Sequence, residues 1–250
     1  MTADEKLKLA RFLDTTSDFL STGYKQGDRD YHFEDSDPVA SHDAQATADL
    51  KPAGLQAEDS LEAISLQVKN CAACSLGEGR KNAVPGEGVP QPLVMIIGEG
   101  PGADEDAGGR PFVGKAGQLL DKMLGSIGLF RESNCFIANV VKCRPPGNRD
   151  PEPDEVAACS PFLRRQIKLL KPRYILCVGR VAARCLLNAD GSLASFRGKL
   201  HELIIEDTAF PLLVTYHPSA LLRDEELKRP AWEDLKTLRA KLEDEGGLTP

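Results

Sequence analysis

The sequence predicts an α/β fold of three layers, α/β/α, with a central, mainly parallel four-stranded sheet between two layers of helices. Three observations predict it. Four short apolar runs punctuate the chain, at Leu93–Ile97, Cys135–Val141, Tyr174–Val178 and Leu212–Tyr216. Helical patterns lie between them at Gly114–Ile127, Asp154–Leu170 and Arg180–Leu187, and a last one at Pro230–Glu243 closes the chain. The runs are apolar throughout rather than alternating, as strands covered on both faces are. Strands that alternate with helices imply parallel pairing. In such a sheet, ligands bind beyond the carboxyl ends of the strands. The residues that follow each run are therefore the candidate site.

The chain has 250 residues, of which 41% are hydrophobic. That supports one core of roughly 200 residues plus a tail. Residues 1–58 form the predicted tail, an acidic and disordered extension, and residues 59–250 form the folded domain. A short helix fits Leu7–Leu20. The stretch GYKQGDRDYHFEDSDPVASHDAQATADLKPAG that follows is polar and has little to bury. No run of 18 apolar residues exists, so no membrane span is expected. The N-terminus lacks the pattern of a signal or transit peptide, and a cytoplasmic location is the expectation. The net charge of −7 argues at first against a nucleic-acid partner. Its distribution removes the objection. Residues 1–59 carry 6 Lys and Arg against 13 Asp and Glu, whereas residues 60–250 carry 25 of each. The domain is thus free to present a local basic face.

Order is expected from Asp59, where Asp59 and Glu62 fit a capping box and Leu61, Ile64 and Val68 form a helical apolar stripe. After the first run comes Gly98-Glu99-Gly100-Pro101-Gly102-Ala103, then Asp104-Glu105-Asp106. The loop satisfies the loose dinucleotide pattern G-x-G-x-x-G/A. Pro101 removes a backbone donor, and three acids would repel a pyrophosphate, so a neutral ligand with carbonyl oxygens fits better. Phe112, in Gly109-Arg110-Pro111-Phe112-Val113-Gly114-Lys115, is either a core plug or a stacking platform for a flat ring. Lys115 begins a helix and can reach a phosphate or simply face solvent. Asn139 is polar inside an apolar run and must cap backbone or read a ligand. His217 directly follows the fourth run and is locked by Pro218. Leu221, Leu222 and Arg223 read as an apolar wedge with a phosphate anchor, or as a helix start packed on the core.

Cys71 and Cys74 form a C-x-x-C pair, and Cys143 and Cys159 sit in a Pro-rich loop and the helix after it. Cys135, Cys177 and Cys185 fall inside strand or helix patterns, where cysteine behaves as a small hydrophobe. In a reducing compartment disulfides are not expected. Four loop or element-edge cysteines fit a Cys₄ site, and spacing alone does not separate zinc from a [4Fe–4S] cluster.

Together, Cys71-x-x-Cys74, GEGPGADED (98–106), GRPFVGKAGQLL (109–120), NVVKCRPPGNR (139–149), Cys159 and HPSALLR (217–223) resemble the family 4 uracil-DNA glycosylases over residues 60–245. A related class that binds uracil covalently has Gln in the glycine loop and an inserted basic loop with a nucleophilic His. This chain has Glu99-Gly100, and RPPGNRDPEPDE contains no His. The resemblance therefore favours the hydrolytic family. It implies that the chain flips uracil out of single- or double-stranded DNA, acts as a monomer, and hydrolyses the glycosidic bond to leave an abasic site. It also implies a [4Fe–4S] cluster, rather than zinc, on Cys71, Cys74, Cys143 and Cys159. Glu99, Gly100, Pro101, Phe112, Asn139 and His217 would line the uracil pocket. His217 and either Glu99 or Glu105 would be catalytic, and Glu105 or the Gly100–Pro101 backbone would exclude thymine's methyl group. Lys115, Lys142, Arg144, Leu221 and Arg223 would contact DNA. Two other functions compete: a non-catalytic DNA- or nucleotide-binding module with a Cys₄ site, and a dinucleotide-dependent oxidoreductase. The latter needs an acid at a second strand end, and Asp121 falls in a helix instead. Everything depends on Gly100, Phe112, Asn139 and His217 converging on one cavity.

Overall fold

The computed structural model describes residues 59–248. The tail at 1–58 and the helix expected at Leu7–Leu20 lie outside the described residues. A six-stranded sheet, in the order β1-β3-β2-β4-β6-β5, organises the rest. Its centre is the predicted parallel quartet: β2 (Val94–Gly98), β3 (Cys135–Asn139), β4 (Tyr174–Val178) and β6 (Thr208–Thr215). Two antiparallel edge strands extend it, β1 (Glu87–Gly88) on β3 and β5 (His201–Ile205) on β6. Sequence patterning missed both. β1 is two residues long, and β5 reads HELII with only Leu203 and Ile205 buried.

The helices are α1 (Leu61–Lys69), α2 (Leu76–Gly79), α3 (Ala103–Gly108), α4 (Lys115–Gly125), α5 (Pro153–Leu170), α6 (Arg180–Leu187), α7 (Leu193–Phe196), α8 (Pro218–Arg223) and α9 (Lys228–Asp244). The strand pleat sorts them into layers. Met95, Ile97, Ala138, Ile175, Cys177, Leu212 and Val214 point to one face and pack with Ile64 and Val68 of α1, Leu163 and Ile167 of α5, and Ala182 and Ala183 of α6. Val94, Ile96, Ile137, Leu176 and Leu213 point to the other face and meet Leu120 and Leu124 of α4 and Leu235, Leu238 and Leu242 of α9. Every residue of β2, β3 and β4 is buried, as their unbroken apolar runs require. Among the described residues, no helix is long and apolar enough to cross a membrane.

The topology selects where a ligand sits. From β2 the chain passes through α4 to β3 on one side, then through α5 to β4 on the other. The winding direction reverses at β2, which opens a crevice at its carboxyl end. One expected cap is corrected. Ser60, not Asp59, caps α1, accepting from the Ala63 N–H at 3.1 Å. Asp59 instead pairs with Arg165 of α5.

Candidate active site

A cavity of about 540 Å³ opens at the carboxyl edge of the sheet, and Glu99, Gly100, Phe112, Asn139 and His217 line it together. They come from the ends of β2, β3 and β6 and from the loop before α4. Pro101, Glu105 and Arg223 line it as well, with Asp150 and Arg180 exposed at its rim. The convergence expected from sequence is what the fold produces.

Asn139 is the last residue of β3 and is 1% exposed. β3 ends there, two residues before the apolar run does, although Val140 and Val141 still donate to the carbonyls of Gly98 and Glu99. The Asn139 Oδ1 is the one buried side-chain polar atom among the described residues without a hydrogen-bond partner. An orphaned acceptor of this kind costs about 1–3 kcal/mol unless a ligand meets it. Gly98 makes room for it. A Cβ there would stand 2.5 Å from Asn139 Oδ1 and 2.6 Å from Phe112 Cζ, so both side chains close over a bare backbone.

Phe112 is 6% exposed and has φ +53°, a strained conformation for an aromatic residue. Three groups hold it there. Glu105 accepts from the N–H groups of Val113 (2.8 Å), Gly114 (2.9 Å) and Gly102 (3.1 Å). Buried Arg131 donates to the carbonyls of Pro111 and Phe112, both at 3.1 Å, and pairs with Asp121 at 2.7 Å. Gly117 packs so tightly on this turn that a Cβ would sit 1.9 Å from the Phe112 carbonyl oxygen. Sequence reading missed Arg131, because an isolated Arg in a loop carries no local signal of burial.

The His217 ring lies 5.6 Å from the Phe112 ring at 35°. Its Nδ1 accepts from the Ser219 N–H at 3.2 Å and lies 2.8 Å from Ser219 Oγ. The neutral ring then carries its proton on Nε2. Burial, reinforced by the positive charge of Arg223, lowers the His217 pKa to about 4, so the ring is a neutral donor at ordinary pH. Burial and the charge of Asp150 raise the Glu99 pKa to about 7, against the opposing pull of Arg180.

Three expectations need correction. Lys142 is 1% exposed, its Nζ turned inward onto the Asn139 carbonyl (2.9 Å) and Gln166 Oε1 (2.7 Å), so it cannot reach a phosphate. Leu221 is 2% exposed and packs inward, whereas Leu222 is 51% exposed and faces outward. Glu105 has both carboxylate oxygens committed to backbone amides and acts on the Phe112 turn instead of on a reacting atom. Lys115 is exposed and Arg144 half-buried, and both remain able to meet phosphate.

Cys71, Cys74, Cys143 and Cys159 line a second, smaller cavity with Arg80 and Lys142. Cys135, Cys177 and Cys185 lie elsewhere, in β3, β4 and α6. Three of the four sulfurs receive N–H donors: Cys143 from Arg80 Nη1 (3.1 Å), Cys159 from the Lys142 N–H (3.2 Å) and Cys71 from the Ala73 N–H (3.5 Å). Donors of this kind suit anionic sulfur. Among the described residues, no three His, Cys, Asp or Glu side chains close around a single point as one metal ion requires.

Comparison with known proteins gives one family match, to the uracil DNA glycosylase superfamily, over residues 85–236. Three type-4 uracil-DNA glycosylases are similar along most of their length. The one from Sulfurisphaera tokodaii is 44% identical, across 72% of this chain and 84% of its own. The one from Pyrobaculum aerophilum is 48% identical, across 67% and 87%. The one from Thermotoga maritima is 41% identical, across 76% and 98%.

Proposed function

Because the chain belongs to the uracil DNA glycosylase superfamily, and to its type-4 branch, we propose that its cavity takes uracil extruded from DNA and that its own side chains hydrolyse the glycosidic bond. One observation carries the reading. Asn139 presents an unpartnered, buried acceptor beside an aromatic ring and a neutral imidazole donor. A uracil N3–H answers the Asn139 Oδ1, and the amide NH₂ donates to O4. Cytosine reverses both groups. Sites built on such pairing reject the mismatch by about 10⁴–10⁵-fold.

Uracil stacks on Phe112, and the Gly100–Pro101 backbone bars thymine's methyl group. Cleavage leaves negative charge on uracil O2 and positive charge on the sugar. The His217 Nε2–H and the Gly100 N–H stabilise the first. The Glu99 carboxylate stabilises the second and orients water. Extrusion costs a few kcal/mol. Exposed Leu222 fills the vacated stack while Lys115, Arg144 and Arg223 hold phosphates.

We assign the cysteine cavity to a [4Fe–4S] cluster rather than to zinc, an assignment that the similarity to type-4 enzymes supports. Four cysteines line one space, and N–H donors reach three of their sulfurs, as an anionic sulfur-ligated group requires. Cys71 and Cys74 after α1, Cys143 after Asn139 and Cys159 of α5 would hold the group, which would cross-link these three segments. Metal analysis and visible absorbance test this directly.

Incubation with a uracil-containing oligonucleotide, followed by alkali, tests the function. Strand breaks at uracil are expected with the wild type. His217→Ala should slow cleavage by about 10²–10³-fold while retaining DNA binding. Intact DNA with the wild type would leave a binding module as the answer, and near-normal turnover by the variant would remove His217 from its role.

A further inference from the structure

Lys142 is among the largest fully buried side chains of the protein, and its charge has no carboxylate partner. Its Nζ donates only to neutral oxygens, the Asn139 carbonyl and Gln166 Oε1. No ion pair among the described residues includes it. Gln166 is itself anchored, its Nε2 donating to the Pro85 carbonyl at 2.8 Å. A buried ammonium in neutral surroundings is strongly unfavourable. A chain under no other constraint would place Met or Leu here.

A candidate anion adjoins the residue. Lys142 borders the cavity lined by Cys71, Cys74, Cys143 and Cys159. Its own N–H donates to Cys159 Sγ at 3.2 Å, and Cys143 is its neighbour in sequence. Four thiolates outweigh the positive charge of an iron–sulfur core, so the ligated group is anionic. We propose that Lys142 is the internal counter-cation of that group and ties it to the backbone of Asn139, which reads the base. The residue thus acts through others as a positioning residue. Its ammonium and its amide span the distance from the sulfur site to the strand end where uracil is recognised. This rests on the cluster assignment made above.

Replacing Lys142 by Met keeps length and flexibility but removes the charge. Gln166→Leu is the control: it removes one Nζ partner and leaves the charge in place. Both are compared with the wild type as iron-loaded protein. The half-life of visible absorbance in excess chelator should shorten about tenfold or more in Lys142→Met, as loss of an outer-shell partner usually does, and far less in Gln166→Leu. The cluster's reduction potential should move negative in Lys142→Met only, because a buried cation nearby would favour the reduced state. A purely packing role would not move it. In the loaded Lys142→Met protein, kcat on uracil DNA should fall about tenfold with KM little changed.

Unchanged bleaching and potential in Lys142→Met would overturn the inference, as would equal bleaching in both variants. If Lys142→Met yields no loaded protein, Lys142→Arg decides. Iron retained by that variant supports the role of charge, and iron lost from it overturns the role. A wild type without iron would instead sink the cluster assignment itself, which separates the two failures.

Discussion

The two cavities differ in how their polar groups are satisfied, and the difference separates reading from holding. The cavity at the sheet edge is lined by side chains whose own needs are left unmet. Asn139 Oδ1 has no partner, Phe112 sits at positive φ, and the Glu99 and His217 pKa values are moved away from their ordinary ranges. The sulfur cavity is the reverse: N–H donors already point at three of its four cysteines. The first region waits for a ligand that comes and goes. The second is shaped for one that stays. They meet in the five residues from Asn139 to Cys143, which leave β3 and turn into the sulfur site.

The largest expected effect isolates the reading cavity. Asn139→Ala should erase the preference for uracil over cytosine, a loss of about 10⁴-fold or more in discrimination. It should barely change stability, because relief of the orphaned acceptor offsets most of the packing lost with this buried side chain. A fall of about 1 kcal/mol or less corresponds to roughly 2–4 °C in Tm for a domain of this size. Visible absorbance should be untouched. A large drop in Tm with discrimination preserved would merge the two regions and defeat the contrast.

The same contrast runs through α8 on a smaller scale. Leu221→Ala should destabilise the fold by about 2–5 kcal/mol, as large-to-small core substitutions do, with kcat on single-stranded uracil DNA unchanged. Leu222→Ala should leave Tm within about 0.5 kcal/mol of the wild type. It should slow cleavage of duplex more than of single-stranded substrate, since only the duplex must be unstacked. Comparing the two variants on both substrates checks the assignment, and interchange of their effects would reverse it.

These cases show how much of the molecule local sequence encodes. The parallel quartet was legible because β2, β3, β4 and β6 are buried on both faces, so their apolar runs are unbroken. The edge strands were not, because β1 is too short to carry a pattern and β5 is buried only at alternate residues. The cavity's five central residues were legible because strand ends in this topology converge. Lys142 was misread because its burial is decided by Gln166, 24 positions away, and Cys159, 17 away. Leu221 and Leu222 were ambiguous because a six-residue helix does not define its own buried face. Glu105 looked catalytic among three consecutive acids, and only the fold shows that its oxygens are spent on the Phe112 turn.

The smallest predicted effect concerns protons. The Glu99 pKa of about 7 lies well above the 4.5 of an unperturbed glutamate, mainly through burial and then through Asp150. If the ionised carboxylate serves the reaction, kcat/KM should climb as pH rises through about 7 and level off above it. His217, with its pKa lowered to about 4, stays neutral across that range and adds no limb of its own. Stability should move the opposite way. Between pH 4.5 and 7 the folded state binds the Glu99 proton more tightly than the unfolded chain does, so stability falls as pH rises across that window. Glu99→Gln removes the titration, so its Tm should gain on the wild type from pH 5 to pH 8 while its kcat/KM profile loses the limb near 7. Asp150→Asn keeps the carboxylate but removes the second cause of its shift, and should slide the wild-type limb toward lower pH by less than about one unit. A limb near pH 7 that survives Glu99→Gln would move the proton-sensitive role to another group in the cavity.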